Sequence, residues 1–417
     1  MRTFGLAVAS ALVASAALSS PAWAKAGDPV KVSDDLTIDP IIDARLRYEG
    51  VDQPATDADA LTLRLRAGAE FKVHRLGFLA EAEGTLGIVN EYNAFPFAIA
   101  DRQRRPQFST VADPMNVELN RLQVQYKGRT ATLTVGRQRI NLDDQRWVGA
   151  AAWRQNEQTF DAVRGEAQIG PVSLDGTYAI GQRTIYGIDG GPRQSLDGNF
   201  VFASAAVKAG PVVAKGFTYL LDYDESIVFS NSSVTYGGRV VAALPLVPRV
   251  SLAVNATYAR QRDYGKNPTR YAADYLSLEA VLAARGLSLT AGFESLGSDA
   301  DAAGGAGRAV QTPLATLHKF NGWADLFLTT PNKGLHDAYL GAAYKFDGVK
   351  ALSGLTAAVT WHHFSSDTGD IHYGSEWDGS LGFKLGRYAF LGKYANYDAK
   401  NFGVDTQKVW LQVEMGY

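Results

Sequence analysis

Arginine recurs in this chain at positions that alternate with apolar residues. Arg45 and Arg47 interleave with Ala44, Leu46 and Tyr48, and Arg64 and Arg66 interleave with Leu63, Leu65 and Ala67. Arg121 keeps the phase of Gln123 and Gln125, and Arg164 falls on a later alternating segment. Arg137, Arg139, Arg146 and Arg154 crowd one stretch together with Trp147 and Trp153. A guanidinium is a planar fork that grips carboxylates bidentately, so a row of them on a wetted wall hands anions between weak sites. Indole faces offer stacking to sugar rings. Two blander expectations stand beside these. Asp43, Glu70, Glu81, Glu83, Glu118 and Glu166 share the same segments, and charges paired on a solvated face are usually unselective. The tryptophans, with Trp323, equally suit loops held together by their own side chains.

Signals for bond-making chemistry are thin. His363 and Ser365 fall on one face of a strand, but a nucleophile and base need an orienting third group and none is evident. His362, His363 and His372 have no metal-specific spacing, and Asp222, Asp224 and Glu225 are weak evidence for calcium. The glycines sit in turns and strands rather than in a phosphate-binding loop. The expectation is a non-enzyme with no cofactor and no metal.

The elements that must position the arginines announce themselves by period-two alternation. From Leu61 to Val73 the odd positions are Leu, Leu, Leu, Ala, Ala, Phe and Val, whereas Arg64, Arg66, Glu70 and Lys72 fall between them. A strand keeps that separation and a helix scatters it. Segments of the same kind recur to the end of the chain, giving about eighteen strands of roughly ten residues, the length of a tilted membrane strand. Short turns at His74-Arg75, Gly128, Gly170-Pro171, Gly210-Pro211, Arg285-Gly286 and Gly386-Arg387 alternate with long polar connections, among them residues 49–59, 90–115, 141–157 and 295–334. Strict short–long alternation predicts an all-β, up-and-down antiparallel transmembrane barrel with tight periplasmic turns and long extracellular loops. A barrel this wide is not filled by strand side chains alone, so the polar face is expected to line a wet lumen and the apolar face to meet lipid. Tyr48, Phe71, Tyr126, Tyr178, Tyr258, Phe293, Tyr344 and Phe346 suit interfacial girdles. The 141–156 loop is expected to fold inward, and a short amphipathic helix is expected around Leu314–Phe327.

The composition agrees. The 417 residues include 42 Gly, 19 Tyr and 19 Phe but no Cys, which excludes disulfide scaffolds and zinc–thiolate sites. A formal charge of −2 speaks against a nucleic-acid partner. Arg2, the apolar stretch Phe4–Leu18 and Ala22-Trp23-Ala24 have the pattern of a cleaved export signal. The expected organisation is a signal peptide over 1–24, a short periplasmic segment over 25–36 and an outer-membrane barrel over 37–417 of a Gram-negative cell.

Several stretches resemble the alginate export family of outer-membrane porins. They are Gly136-Arg137-Gln138-Arg139-Ile140-Asn141-Leu142-Asp143-Asp144-Gln145-Arg146, continuing through Trp153-Arg154-Gln155-Asn156 to Thr159-Phe160-Asp161, and the run from Thr312 through His318-Lys319-Phe320-Asn321-Gly322-Trp323 to Asp325. Trp361-His362-His363-Phe364 and Tyr373 to Asp378 add a third block, with Lys393-Tyr394-Ala395 beyond it. The resemblance implies an eighteen-stranded barrel with an arginine-rich pore. The alternating Val409, Leu411, Val413 and Met415, ending in Tyr417, resemble the assembly signal read by the outer-membrane insertion machinery. The functional expectation is a passive channel for anionic or carbohydrate solutes, seated in outer-membrane lipid. A lipid hydrolase or a closed structural or adhesive barrel are the rivals.

Overall fold

The computed structural model describes residues 29–416; the expected export signal and Tyr417 lie outside the described residues. Eighteen long strands run β1 (Leu36–Asp52), β2 (Asp57–Val73), β3 (Leu76–Glu91), β4 (Asn116–Lys127), β5 (Ala131–Gln138) and β6 (Thr159–Ile169). They continue as β7 (Val172–Arg183), β8 (Ser195–Ala209), β9 (Val212–Tyr223), β10 (Ser233–Val247), β11 (Val250–Asp263) and β12 (Ala272–Ala284). The last six are β13 (Leu287–Leu296), β14 (Leu335–Lys345), β15 (Ser353–Ser365), β16 (His372–Leu385), β17 (Tyr388–Ala399) and β18 (Thr406–Gly416).

Each strand pairs antiparallel with its sequence neighbours, and β18 closes on β1 from Gly416↔Asp43 to Gln407↔Asp52. Closure leaves none of the long strands with an open edge, the condition a strand-built membrane span must meet. Val30 and Lys31 add a two-residue rung to the start of β1. The expected up-and-down barrel is thus observed.

Alternation sorts the two faces as expected. Leu63, Leu65, Val117, Leu119, Leu133, Leu340 and Leu411 are exposed on the outside, while Arg45, Arg47, Arg64, Glu81 and Glu83 are buried on the inside. Two details differ. The connection expected over 49–59 shrinks to residues 53–56, because β1 and β2 pair all the way to Asp52↔Asp57. The helix expected around Leu314–Phe327 is absent save for one 3-10 turn, Leu317–Lys319. Asn321, Gly322 and Asp325 take left-handed backbone there. The N–H groups of Trp323 and Ala324 go to Asp378 (3.2 Å) and Glu376 (2.7 Å) of the barrel wall instead of to a helix.

Part of the interior is dry. Phe160 on β6, Phe200 and Phe202 on β8, and Phe217 and Tyr219 on β9 point inward and pack against Ile140, Leu142 and Val148 of the connection between β5 and β6. The apolar residues of that connection therefore have a reason to leave solvent: they cover an aromatic patch on the inner wall. Asp143, Gln145 and Ala151 adopt left-handed backbone along the way, a cost of about 1–3 kcal/mol each that the docking offsets.

Candidate permeation path and its charged wall

The lumen is crossed by two inward connections, 139–158 between β5 and β6 and 297–334 between β13 and β14. The first is sewn to β1 and β2. One nitrogen of Arg45 donates to the carbonyls of Ala152, Trp153 and Arg154 at 3.0, 3.2 and 3.3 Å, and Arg47 donates to Trp153 O and to Asp113. Arg64 joins Asp43 and Glu414, and Arg66 joins Glu83 and, at 2.8 Å, Glu157. Burial would raise the Glu157 carboxyl, but Arg139 and Arg66 hold it down to about 2. The second connection is tied across the first: Arg146 reaches Glu294 at 2.8 Å and Asn321 at 3.0 Å, and Arg154 reaches Asp325 at 2.8 Å.

The two meet at an aromatic box. Trp153 stacks on His318 at 4.3 Å with 6° between the planes, and Trp410 of β18 lies edge-on. Lys393 of β17 places its ammonium 3.6 Å from the Trp323 ring centre and 4.1 Å from that of Trp153. It also lies 2.7 Å from His318 Nε2, while His318 Nδ1 is 2.8 Å from Asp325. Burial pushes the His318 imidazole well below its ordinary range, and Lys393 adds to this against the pull of Asp325. A neutral ring that accepts from Lys393 and donates to Asp325 satisfies both neighbours.

These contacts reassign most of the residues singled out from the sequence. Arg45, Arg47, Arg64, Arg66, Arg146 and Arg154 are buried struts paired with carboxylates, loop carbonyls and the Asn321 amide; Arg64 is 0 % exposed. Trp153 has its faces covered by His318, Arg47 and Lys393, and Trp147 packs on Phe217 and Tyr275, so neither presents a sugar-stacking face. Arg137 is placed differently: it keeps step with the outward Leu133 and Val135, stands beside Leu122 and pairs with Asp161 on the outer face at 2.8 Å.

Three of the arginines keep an open side toward the lumen. Arg121 grips Glu81 at 2.9 and 2.6 Å, Arg139 bridges Glu157 and Glu81, and Arg164 grips Asp175 at 3.2 and 2.6 Å. Arg139 is the most accessible of the three, with 23 % of its side chain exposed. The arc continues through residues that sequence reasoning missed: Lys215 on β9, paired with Asp143 at 2.8 Å, Arg239 on β10, paired with Asp144 at 2.6 Å, and Lys319, which donates to the Asp144 carbonyl at 2.8 Å. Lys215 and Arg239 each alternate with apolar or small neighbours, the same signal that exposed Arg64.

The residues weighed for other chemistry are placed as follows. His363 stacks on His372 at 4.6 Å near the loop end of β15. Asp224 is engaged by the ammonium of Lys266, and Asp222 accepts from the Lys266 backbone at 3.2 Å, so a cation already occupies that acidic corner.

Residues 42–212 match the family model described as alginate export. That stretch contains the Gly136–Asp161 motif and all ten arginines singled out from the sequence. No curated protein matches the chain. Among solved structures, Pseudomonas aeruginosa OpdK with vanillate superposes with a TM-score of 0.67 at 15 % identity, over 92 % of this chain and 98 % of that one. Pseudomonas aeruginosa OpdL gives 0.65 at 18 % identity, over 92 % and 99 %. Pseudomonas aeruginosa OccK2 (OpdF) in complex with glucuronate gives 0.65 at 14 % identity, over 91 % and 98 %. The chain is an eighteen-stranded β-barrel of the Gram-negative outer membrane, porin-like in fold, and carries the alginate export family match over residues 42–212.

Proposed function

We propose that the protein is a passive outer-membrane channel for small anionic or sugar-like solutes. The observation that carries this reading is the lumenal arc of partly open cations, Arg121, Arg139, Arg164, Lys215, Arg239 and Lys319, on the wall and at the edge of the two inward connections. Each cation is paired on one side and open on the other. An anion arriving at such a site gains a charge-assisted hydrogen bond without displacing the partner carboxylate, so binding is weak enough for release. The inward connections narrow the path and force a solute past the arc. Vanillate and glucuronate, the carboxylates held in two of the neighbouring structures, suit such a wall.

The test is the reversal potential of refolded protein in a planar bilayer under a salt gradient. Joint replacement Arg121→Ala and Arg164→Ala lowers the anion-over-cation permeability ratio, whereas Arg137→Ala on the outer face leaves it where it was. An unchanged ratio in the double variant retires the claim that these arginines set selectivity.

A further inference from the structure

The wall beyond the arc has the opposite character. Below the second inward connection a cavity opens against β10–β16, lined by five carboxylates, Asp144, Glu279, Glu294, Asp337 and Asp378, but by only two full cations, Arg239 and Lys319. The charges are not mixed. Arg239, Lys319 and Asp144 sit together at one end. Glu294, Asp337 and Glu279 follow along the wall in two neighbouring cross-strand rows, Ser277–Glu294–Asp337 and Asn255–Glu279–Gly292–Tyr339–His362, and Asp378 lies outside both, opposite Thr360.

Some of these acceptors are engaged. Arg146 neutralises Glu294, and Asp337 meets His362 at 2.9 Å. Another is not. Asn255 is 8 % exposed and lines the cavity, and its amide oxygen meets no donor among the described residues. Buried acceptors without donors are costly, and a cavity-lining one is satisfied when a ligand brings the donor.

We infer that this cavity is a binding site for a zwitterion, whose carboxylate is taken by Arg239 and Lys319 and whose ammonium is taken by the acceptors of Asn255 and Glu279 on the neighbouring strands β11 and β12. The site rests on the channel reading above and narrows its substrate class from any small anion to a solute with separated negative and positive ends. Geometry suits the separation. Arg239 pairs with Thr257 and Thr257 with Ser277, so the basic end and β12 stand two strands apart, ~10 Å of wall. Glu279 is the next inward residue along β12. An ammonium has three donors and no acceptor, so it meets a surplus of acceptors with nothing left over, which a simple carboxylate does not do.

Three probes of equal length decide it: 6-aminohexanoate, hexanoate and hexylammonium, titrated calorimetrically into the refolded full-length barrel and added as blockers in single-channel recordings. The expected result is that 6-aminohexanoate binds about tenfold more tightly than either single-ended probe, the gain of one charge-assisted contact. Glu279→Gln removes most of that gain and leaves hexanoate binding unchanged; Asn255→Leu, which alters no charge, weakens 6-aminohexanoate alone. Equal affinity for 6-aminohexanoate and hexanoate in the native protein overturns the site, even if hexanoate blocks current and the channel reading stands. A barrel that conducts nothing overturns the channel reading, while the calorimetric preference still decides the site.

Discussion

Tyr339 donates its hydroxyl to Glu279 at 2.9 Å from two strands away, lying across the bare backbone of Gly292 between them. A Cβ at position 292 would sit 2.0 Å from the Tyr339 ring. Glycine here is a gap cut in the inner wall, and the tyrosine fills it so as to fix one carboxylate of the acidic row.

Gly292→Ala is therefore expected to expel the ring and break the bond to Glu279. Overpacking of this kind costs ~1–3 kcal/mol, more than the ~1 kcal/mol expected when Tyr339→Phe deletes the hydrogen bond alone. Urea midpoints of the refolded barrel in lipid vesicles give both numbers. Equal losses for the two variants would mean that the ring does not need the gap.

Arg64 and Arg121 are both lumenal arginines and should respond very differently to truncation. Arg64 is fully enclosed between Asp43 and Glu414, whereas Arg121 keeps an open side beside Glu81. Arg64→Ala strands buried Asp43, while Glu414 keeps Arg45 at 3.0 Å, and is expected to destabilise the barrel by ~3–5 kcal/mol. Arg121→Ala is expected to cost ~1 kcal/mol or less, with the change appearing in ion selectivity instead. The same denaturation series, run beside reversal potentials, separates the roles.

The inward connection 139–158 has a built-in acid limit. Glu157 is charged in the folded protein down to about pH 2, against an ordinary value of 4.5. A carboxyl whose folded value lies below its unfolded one contributes stability in full above the unfolded value and loses it as pH falls through the folded one. Docking of the connection is thus expected to be constant above about pH 5 and to weaken progressively from pH 4.5 toward 2. Asp325 at the second connection is also held well below its usual range, against burial, by His318, Lys408 and Arg154, and loosens in the same direction. Amide exchange over residues 139–158 at stepped pH reads this directly, and Glu157→Gln is expected to flatten the acid dependence.

The barrel was legible in the sequence because membrane strands repeat one rule, apolar out and polar in, and because turn lengths alternate with the rims. The interior was less legible, for a physical reason. Alternation reports which face a residue is on, but not whether the lumen at that height is water or protein. Arg64 and Arg164 carry the same local pattern; one is sealed under the 139–158 connection and the other is not. Phe200, Phe202 and Phe217 break the polar-in rule because that connection needs an apolar seat. Arg137 has the phase of the outward Leu133 and Val135 in the sequence, and the strand keeps that phase in the fold. Arg239 and Lys215 carried the alternation signal but lie on strands whose inward faces also hold Phe217, Tyr219, Leu221 and Val241, which blurs the contrast. The Lys393 box was invisible because its parts, Trp153, the His318–Trp323 stretch, Lys393 itself and Trp410, come from four separate places in the chain.

That box makes the last prediction. Trp153 lies between Arg47, His318 and Lys393, and through it the first connection holds the second. Truncating a buried tryptophan to alanine costs ~3–5 kcal/mol, of the order needed to free a docked loop but, shared over an eighteen-stranded closed sheet, not to unfold the barrel. Trp153→Ala is therefore expected to leave the folded, heat-modifiable electrophoretic form intact while raising single-channel conductance and adding current noise as the connections swing. Lys393→Met keeps the volume among the indoles and removes the charge, so it tests the cation's share: a smaller rise in conductance is expected, because His318 loses a donor but the stack remains. Should both variants conduct as the native protein does, the connections are held by the arginine struts alone and the box is packing without a gating consequence.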